Sequence, residues 1–384
     1  MDVLSLLRLT YERRASDLHL KASTRPVLRV DGVLEPVTGE GPVNPADIAD
    51  AFCAIATEEQ QDLFRRNLEL DFAYSLPGVA RFRVNAALQR GSIVLSFRLV
   101  PVVVPSLAQL AMPTVCQVLA ARRRGLVVVT GPTGSGKSTT LAAMIDNINS
   151  NERRRIVTIE DPIEFLYADK LSFIIQREVG ADARDFPTAL RSALRQDPDV
   201  ILLGEMRDQE TIATAIAAAE TGHLVLGTLH TIGAAEAVDR IINVFPPGQQ
   251  QQVRLELSLC LEGVVSQMLL PRASGKGRVA AMEVMIATPA VRNLIRDAKA
   301  HQIPNMIALG AQFGMQTFDH HLHDLVLANV VSFEEAMLRA TQPEHLRKRL
   351  ASDGVIAAGV HPVLPSFQSF PHWDEDRGKD QGDG

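Results

Sequence analysis

The residues best equipped for chemistry form one short run. Gly131-Pro132-Thr133-Gly134-Ser135-Gly136-Lys137-Ser138, followed by Thr139, fits the pattern GxxxxGK[ST]. It stands directly after the apolar run Leu126 to Val129 and before a helical pattern, which is the context such a loop requires. Small residues let backbone amides approach phosphate oxygens, Lys137 neutralises the β and γ charges, and the Ser138 hydroxyl reaches Mg²⁺. The run therefore predicts binding of a nucleoside triphosphate, ATP with Mg²⁺.

Two acidic segments follow at strand ends. Asp199-Val200-Ile201-Leu202-Leu203-Gly204-Glu205 reads as a buried strand that delivers a carboxylate beside the γ-phosphate, where Glu205 polarises water or supports Mg²⁺. Ile159-Glu160-Asp161-Pro162-Ile163-Glu164 gathers three carboxylates whose mutual repulsion asks for a metal or a positive neighbour. Glu160 and Asp161 join Ser138 as metal candidates, and Glu164 competes with Glu205 for the role of general base. His223 and His230 bracket the apolar run Leu224 to Leu229, and His230 lies at its carboxyl end, where a γ-phosphate would be sensed. A histidine beside a strand is ordinarily structural, and the spacing alone leaves both readings open.

These groups need a scaffold, and the hydrophobic pattern supplies one. Apolar runs at 126–130, 156–159, 200–204 and 224–229 alternate with helical segments from Lys137, near 185–195 and near 208–221, which predicts an α/β fold with a mainly parallel sheet wrapped by helices. From about Gln249 to the 340s the pattern is helical, interrupted by a strand at 279–286. Ahead of this core the chain is strand-rich. Asp31-Gly32 marks a hairpin, while Asn44-Pro45 and Thr57 with Gln60 start two helices between 45 and 67.

Residues 81–100 alternate as a second hairpin around Arg90-Gly91. A two-residue turn there puts Arg83 opposite Arg98, a like-charge pair that is unfavourable unless an anion or carboxylate lies near. Arg81, Arg83 and Arg98 are thus phosphate-facing candidates, or else a solvated strand face that protects an edge.

Prolines in the stretch VPVVVPS mark a linker. The expected division is an N-terminal domain over 1–100, a linker at 101–107, an ATPase domain over 108–290, a helical subregion over 291–351 and a disordered tail over 352–384, rich in Pro, Gly and Asp.

Composition excludes several classes. With 39 basic and 45 acidic residues the net charge is −6, which removes the attraction behind non-specific nucleic-acid binding. Cys53, Cys116 and Cys260 are scattered without a CxxC pair, against a disulfide framework or zinc site. No apolar run approaches the ~18 residues of a spanning helix, and Asp2 ahead of arginines at 8, 13 and 14 is the wrong charge order for a signal peptide. A cytoplasmic protein that meets a membrane only through a partner is expected.

Four ordered segments resemble the secretion-ATPase superfamily: GPTGSGKST at 131–139, TIEDPIEF at 158–165, RQDPDVILLGEMRD at 195–208 and AAETGHLVLGTLHT at 218–231. They are similar to its Walker A, Asp box, Walker B and His box, which implies a RecA-like domain behind a PAS-like first domain, assembled as a hexamer, with His223 and His230 facing nucleotide. ASDLHL at 15–20, GVARFRVN at 78–85 and TPAVRNLIRD at 288–297 extend the likeness toward type IV pilus retraction ATPases of the PilT type, with Val291 and Asp297 in place of the usual Ile and Glu. GMQTFDHHLHDL at 314–325 looks closer to the accessory PilU branch.

The resemblance implies an ATP-hydrolysing ring that works on an inner-membrane pilus platform protein, at the inner face of the membrane, in twitching motility. Arginines from 81–98 would close over the phosphates. A ring adaptor acting with a paralogous retraction ATPase is the second reading, and a nucleic-acid motor the third.

Overall fold

The structure is a computed structural model, described here over residues 2–355 of the 384-residue chain. Most of the expected tail, from 356 onward, lies outside the described residues.

The first part folds as α1 (Val3–Glu12), β1 (Asp17–Leu20), β2 (Val27–Val30), β3 (Val33–Pro36), α2 (Pro45–Ile55), α3 (Glu58–Asn67), β4 (Glu69–Leu76), β5 (Ala80–Gln89) and β6 (Ser92–Val100). Its antiparallel sheet has the order β3-β2-β1-β6-β5-β4. Both hairpin turns need two left-handed residues, and they have them: φ is +47° and +85° at Asp31-Gly32 and +51° and +78° at Arg90-Gly91.

Helix starts follow their caps. Asn44 Oδ1 accepts from Asp47 N at 2.9 Å, and the Thr57–Gln60 box makes both its bonds. Phe82, Val84, Ala86, Leu95 and Phe97 are buried against Ile48 and Phe52 of α2 and Phe64 of α3. Leu88, expected on the same face, lies past the core and is exposed.

After 101–106, which hold neither helix nor strand, come α4 (Val115–Ala120), β7 (Gly125–Thr130), α5 (Lys137–Asn151), β8 (Arg155–Glu160), β9 (Phe173–Glu178), α6 (Phe186–Ala193), β10 (Val200–Leu203), α7 (Gln209–Glu220), β11 (Leu224–Leu229), α8 (Ala234–Asn243), α9 (Pro247–Cys260), β12 (Leu261–Pro271) and β13 (Arg278–Ile286). The sheet order is β13-β12-β7-β11-β10-β8-β9, parallel throughout except for antiparallel β13. Parallel strands covered on both faces read as continuous apolar runs, and β7, β10 and β11 are buried along their whole length.

The helical reading from Gln249 holds through α9 and is corrected by β12 from Leu261 onward. Strand begins at the residue after α9 ends, and the only signal near the change is Gly263, two residues into the strand, where the pairing with β7 shifts register. β9 was also unforeseen, because its three apolar residues run into Gln176-Arg177-Glu178.

The chain ends in α10 (Pro289–Arg296), α11 (Ile303–Leu309), α12 (Phe318–Leu327), α13 (Phe333–Arg339) and α14 (Pro343–Ser352). In α10 the Val291 side chain is fully buried, and Arg292 ties α10 to the α9–β12 junction through Ser258 O (2.8 Å), Leu259 O (2.7 Å) and Glu262 Oε1 (2.9 Å). Phe318, Leu322, Leu346 and Leu350 cover Leu270, Val279 and Ala281 of the β12–β13 hairpin.

Candidate nucleotide site

The phosphate loop leaves the carboxyl end of β7 and enters α5. Gly131 has φ +147°, and a Cβ there would lie 2.2 Å from the carbonyl oxygen of Gln267. Only glycine fits, so the loop backbone stays free to curl around an anion. Gly136, at φ +89°, caps α5, whose first amides face the same cleft.

Gln267 of β12 clamps the loop from beneath. Its Nε2 donates to Ser135 O at 2.6 Å and its Oε1 accepts from Thr140 Oγ1 at 2.8 Å. Ser135 Oγ is buried without a hydrogen-bond partner, an uncommon cost for a hydroxyl that a phosphate oxygen would relieve. Lys137 Nζ donates to the loop's own carbonyls, Gly131 at 2.8 Å and Pro132 at 3.1 Å. Burial pulls the Lys137 pKa down, opposed by the charges of Glu205 and Glu164.

One imidazole links the two sides of the cleft. His230, just past β11, places Nε2 3.0 Å from Glu205 Oε1 and Nδ1 3.4 Å from Lys137 Nζ. With hydrogen on Nε2 the ring would donate to the carboxylate and accept from the ammonium through Nδ1. Glu205 follows β10 and also pairs with Arg207.

Glu160 ends β8, buried, and accepts from Thr158 Oγ1 at 2.6 Å and Gln176 Nε2 at 3.2 Å. Burial pushes its pKa up. Asp161 is exposed beside it. Glu164 stands at the rim with its side chain 46% exposed, held among the described residues by Arg83 Nη2 at 3.7 Å. These groups enclose a cleft of about 320 Å³ that also takes in Thr133, Ser138 and Thr139, a size ordinary for small-ligand sites.

Of the three candidate arginines, the structure brings Arg83 to the rim, through Glu164 and Pro162 O. The register does pair Arg83 with Arg98. Carboxylates separate them, since Arg98 Nε donates to Asp17 Oδ1 at 2.9 Å. Arg98 is thus held by Asp17, and Arg81 by Glu178 at 3.0 Å, a bridge between β5 and β9, and neither lines the phosphate cleft.

His223 does not line this cleft either. It precedes β11, at the amino end of the strand that His230 follows, roughly 20 Å away by strand rise. Its Nδ1 lies 3.0 Å from Ala218 O. Thr231 lies outside the candidate set, and it fixes the loop after β11 through Thr130 Oγ1, which donates to its carbonyl at 2.7 Å. Gln267 and Arg278 lay in a segment read as helix, and recognising β12 would have been the signal for both.

Loop glycines, the orphaned Ser135 hydroxyl and Lys137 fit a nucleotide's phosphates. Among the described residues no cluster of three or more His, Cys, Asp or Glu could hold a metal alone. Mg²⁺ in phosphate sites takes few protein ligands beside phosphate and water, and Ser138, Glu160 and Asp161 line the same cleft.

Known proteins resemble the chain along most of its length. The family model described as Type II/IV secretion system protein matches residues 106–338. The type IV pilus retraction ATPase PilT of Pseudomonas aeruginosa is 48% identical over 345 residues, which cover 90% of this chain and 100% of that protein. The type IV pilus ATPase PilU of the same organism is 41% identical over 347 residues, covering 90% of this chain and 91% of PilU. Among solved structures, the pilus retraction motor PilT with bound ADP aligns at a TM-score of 0.83 and 42% identity, over 91% of this chain and 99% of that one. The Legionella pneumophila ATPase DotB aligns at 0.76 and 27%, over 87% and 93%. The chain belongs to the Type II/IV secretion system protein family, as a type IV pilus retraction ATPase of the PilT type.

Proposed function

We propose that the chain hydrolyses Mg²⁺-ATP as a subunit of a six-membered ring, and that the ring drives pilus withdrawal against an inner-membrane platform protein. The observation that carries the catalytic part is the chain of contacts from Lys137 through His230 to Glu205 across the phosphate loop. When ATP enters, Lys137 exchanges two loop carbonyls for β- and γ-oxygens, and His230 is left beside the γ-phosphate with its tautomer fixed by Glu205. Glu164 is the better general base of the two carboxylates. Glu205 already has two donors, from His230 and Arg207, whereas Glu164 has one long ion pair and faces solvent. Bound Mg²⁺, held by Ser138 with Glu160 and Asp161, would neutralise charge on the phosphates.

No helix among the described residues is long and apolar enough to cross a membrane. Association with the inner face of the membrane is thus assigned to the pilus machine. The principal-motor role is favoured over the auxiliary one by the higher identity to PilT than to PilU, over similar lengths. The test is expression in a bacterium that lacks its own PilT-type and PilU-type ATPases. Restored twitching with this chain alone supports the principal role. Restoration only with a paralogous motor assigns it to the auxiliary role, and no restoration in either background contradicts the proposal.

A further inference from the structure

Arg278 opens β13, across the hairpin from Pro271. Strand alternation puts Arg278, Ala280, Met282 and Val284 on one face. Met282 and Val284 are buried with Val265 in the cluster that holds Leu141, Met144 and Ile145 of α5, so this face of the sheet carries the phosphate loop and its helix. On β12 the residues paired with Met282 and Ala280 are Gln267 and Leu269. Gln267 clamps the loop, and the Leu269 side chain lies 3.6 Å from where a Gly136 Cβ would stand. Arg278 is the next step along this row.

Arg278, an exposed residue, lines the cleft that Gly134 and Lys137 also line. Among the described residues its guanidinium has no hydrogen bond or ion pair, and only its carbonyl is engaged, by Arg272 Nε at 3.2 Å. Arg81 and Arg98, by contrast, are matched with carboxylates, Glu178 and Asp17. Arg278 shares its cleft with the phosphate loop and Lys137, and the carboxylates on the far side of the cleft, Glu160, Asp161, Glu164 and Glu205, make no ion pair with it among the described residues.

We propose that Arg278 is a phosphate-binding residue of the nucleotide site, forking onto the bound nucleoside di- or triphosphate from the side of β7 opposite Glu205 and His230. The proposal rests on the ATPase reading above. Sheet order sets the two sides, since β12 and β13 lie to one side of β7 and β11 and β10 to the other. A planar guanidinium grips phosphate through two parallel bonds, and an ammonium acts there as a point charge. The neighbouring Val279 and Ala281 face the opposite way, into the cluster with Phe318 and Leu322 of α12. A strand that grips phosphate on one face thus bears the C-terminal helices on the other.

The test measures steady-state ATP hydrolysis and its inhibition by inorganic tripolyphosphate for wild type, Arg278→Ala, Arg278→Gln, Arg278→Lys and Lys276→Ala. Lys276 is exposed at the hairpin tip and outside the cleft. The expected result is a rise of about tenfold or more in both KM and the tripolyphosphate inhibition constant for Ala and Gln, with partial recovery in Lys and wild-type values for Lys276→Ala. An unchanged KM overturns the proposal. So does a rise for ATP with tripolyphosphate unaffected, which places the contact on the nucleoside, or a loss confined to kcat. Should Arg278→Ala melt early, Arg278→Gln carries the comparison. Turnover by wild type in the same assay separates failure of this inference from failure of the ATPase reading.

Discussion

Gln267 holds two positions of the phosphate loop with one amide, and nothing in the loop's own sequence points to it. Replacing it with alanine leaves Thr140 Oγ1 and Ser135 O without these partners in a buried site. We expect Gln267→Ala to cost about 1–3 kcal/mol in denaturant unfolding and to weaken ADP binding in titration calorimetry; no change in either would show that the clamp is idle.

Glu160 makes a second prediction at this scale. Burial raises its pKa above the ordinary 4.5, so the stability it contributes is fully present below about 4.5 and is lost as pH rises through the folded value. Relative to wild type, Glu160→Gln should therefore gain in melting temperature as pH is raised from 4.5 toward 8, and a constant difference would contradict the buried charge. The loop, Glu205 and His230 were legible because each sits at a strand end in a fixed order. The contacts of Arg98 with Asp17 and of His223 with Ala218 were not legible, because register and order give a residue's position, and only packing gives its partner.

At the scale of elements, β12 decides most of what the sequence hid. It carries the Gln267 clamp, its hairpin carries Arg278, and it sits between β7 and β13 on one side of the phosphate loop. Its apolar residues follow α9 with Gly263 as the only punctuation near the change, and a buried strand has no periodicity to distinguish it from a buried helix. The N-terminal hairpins were legible for the opposite reason, since Asp31-Gly32 and Arg90-Gly91 declare left-handed turns and the alternation on either side is clean.

The contact between β13 and the C-terminal helices has a titratable joint. His321 of α12 accepts from Met282 N at 3.0 Å through Nδ1. Burial lowers its pKa, with Asp324 opposing and His320 assisting. A base with a depressed folded pKa contributes stability that is full above about 6.5 and lost as pH falls through the folded value. Melting temperature should accordingly drop as pH is lowered from 7.5 to 5, and His321→Gln should flatten that slope. An identical slope in the variant would remove His321 from the account.

At the scale of the whole molecule, two sheets face each other across ion pairs, Arg81 with Glu178 and Arg83 with Glu164. Glu164 belongs to both the interdomain contact and the nucleotide cleft, so a change at the phosphates is felt by the N-terminal sheet without any long relay. In a ring of six such chains, turnover per chain should rise with protein concentration as light scattering reports the mass of six copies, and added duplex DNA should leave it unchanged.

The most direct measurement is steady-state hydrolysis of Mg²⁺-ATP by purified wild type beside Lys137→Ala and Glu164→Gln, with ATP binding and assembly state followed in parallel. The account predicts turnover in wild type, loss of ATP binding in Lys137→Ala, and retained binding with a rate reduced about a hundredfold or more in Glu164→Gln. A wild-type ring that binds ATP without hydrolysing it, or a Glu164→Gln variant that keeps the wild-type rate, would contradict it.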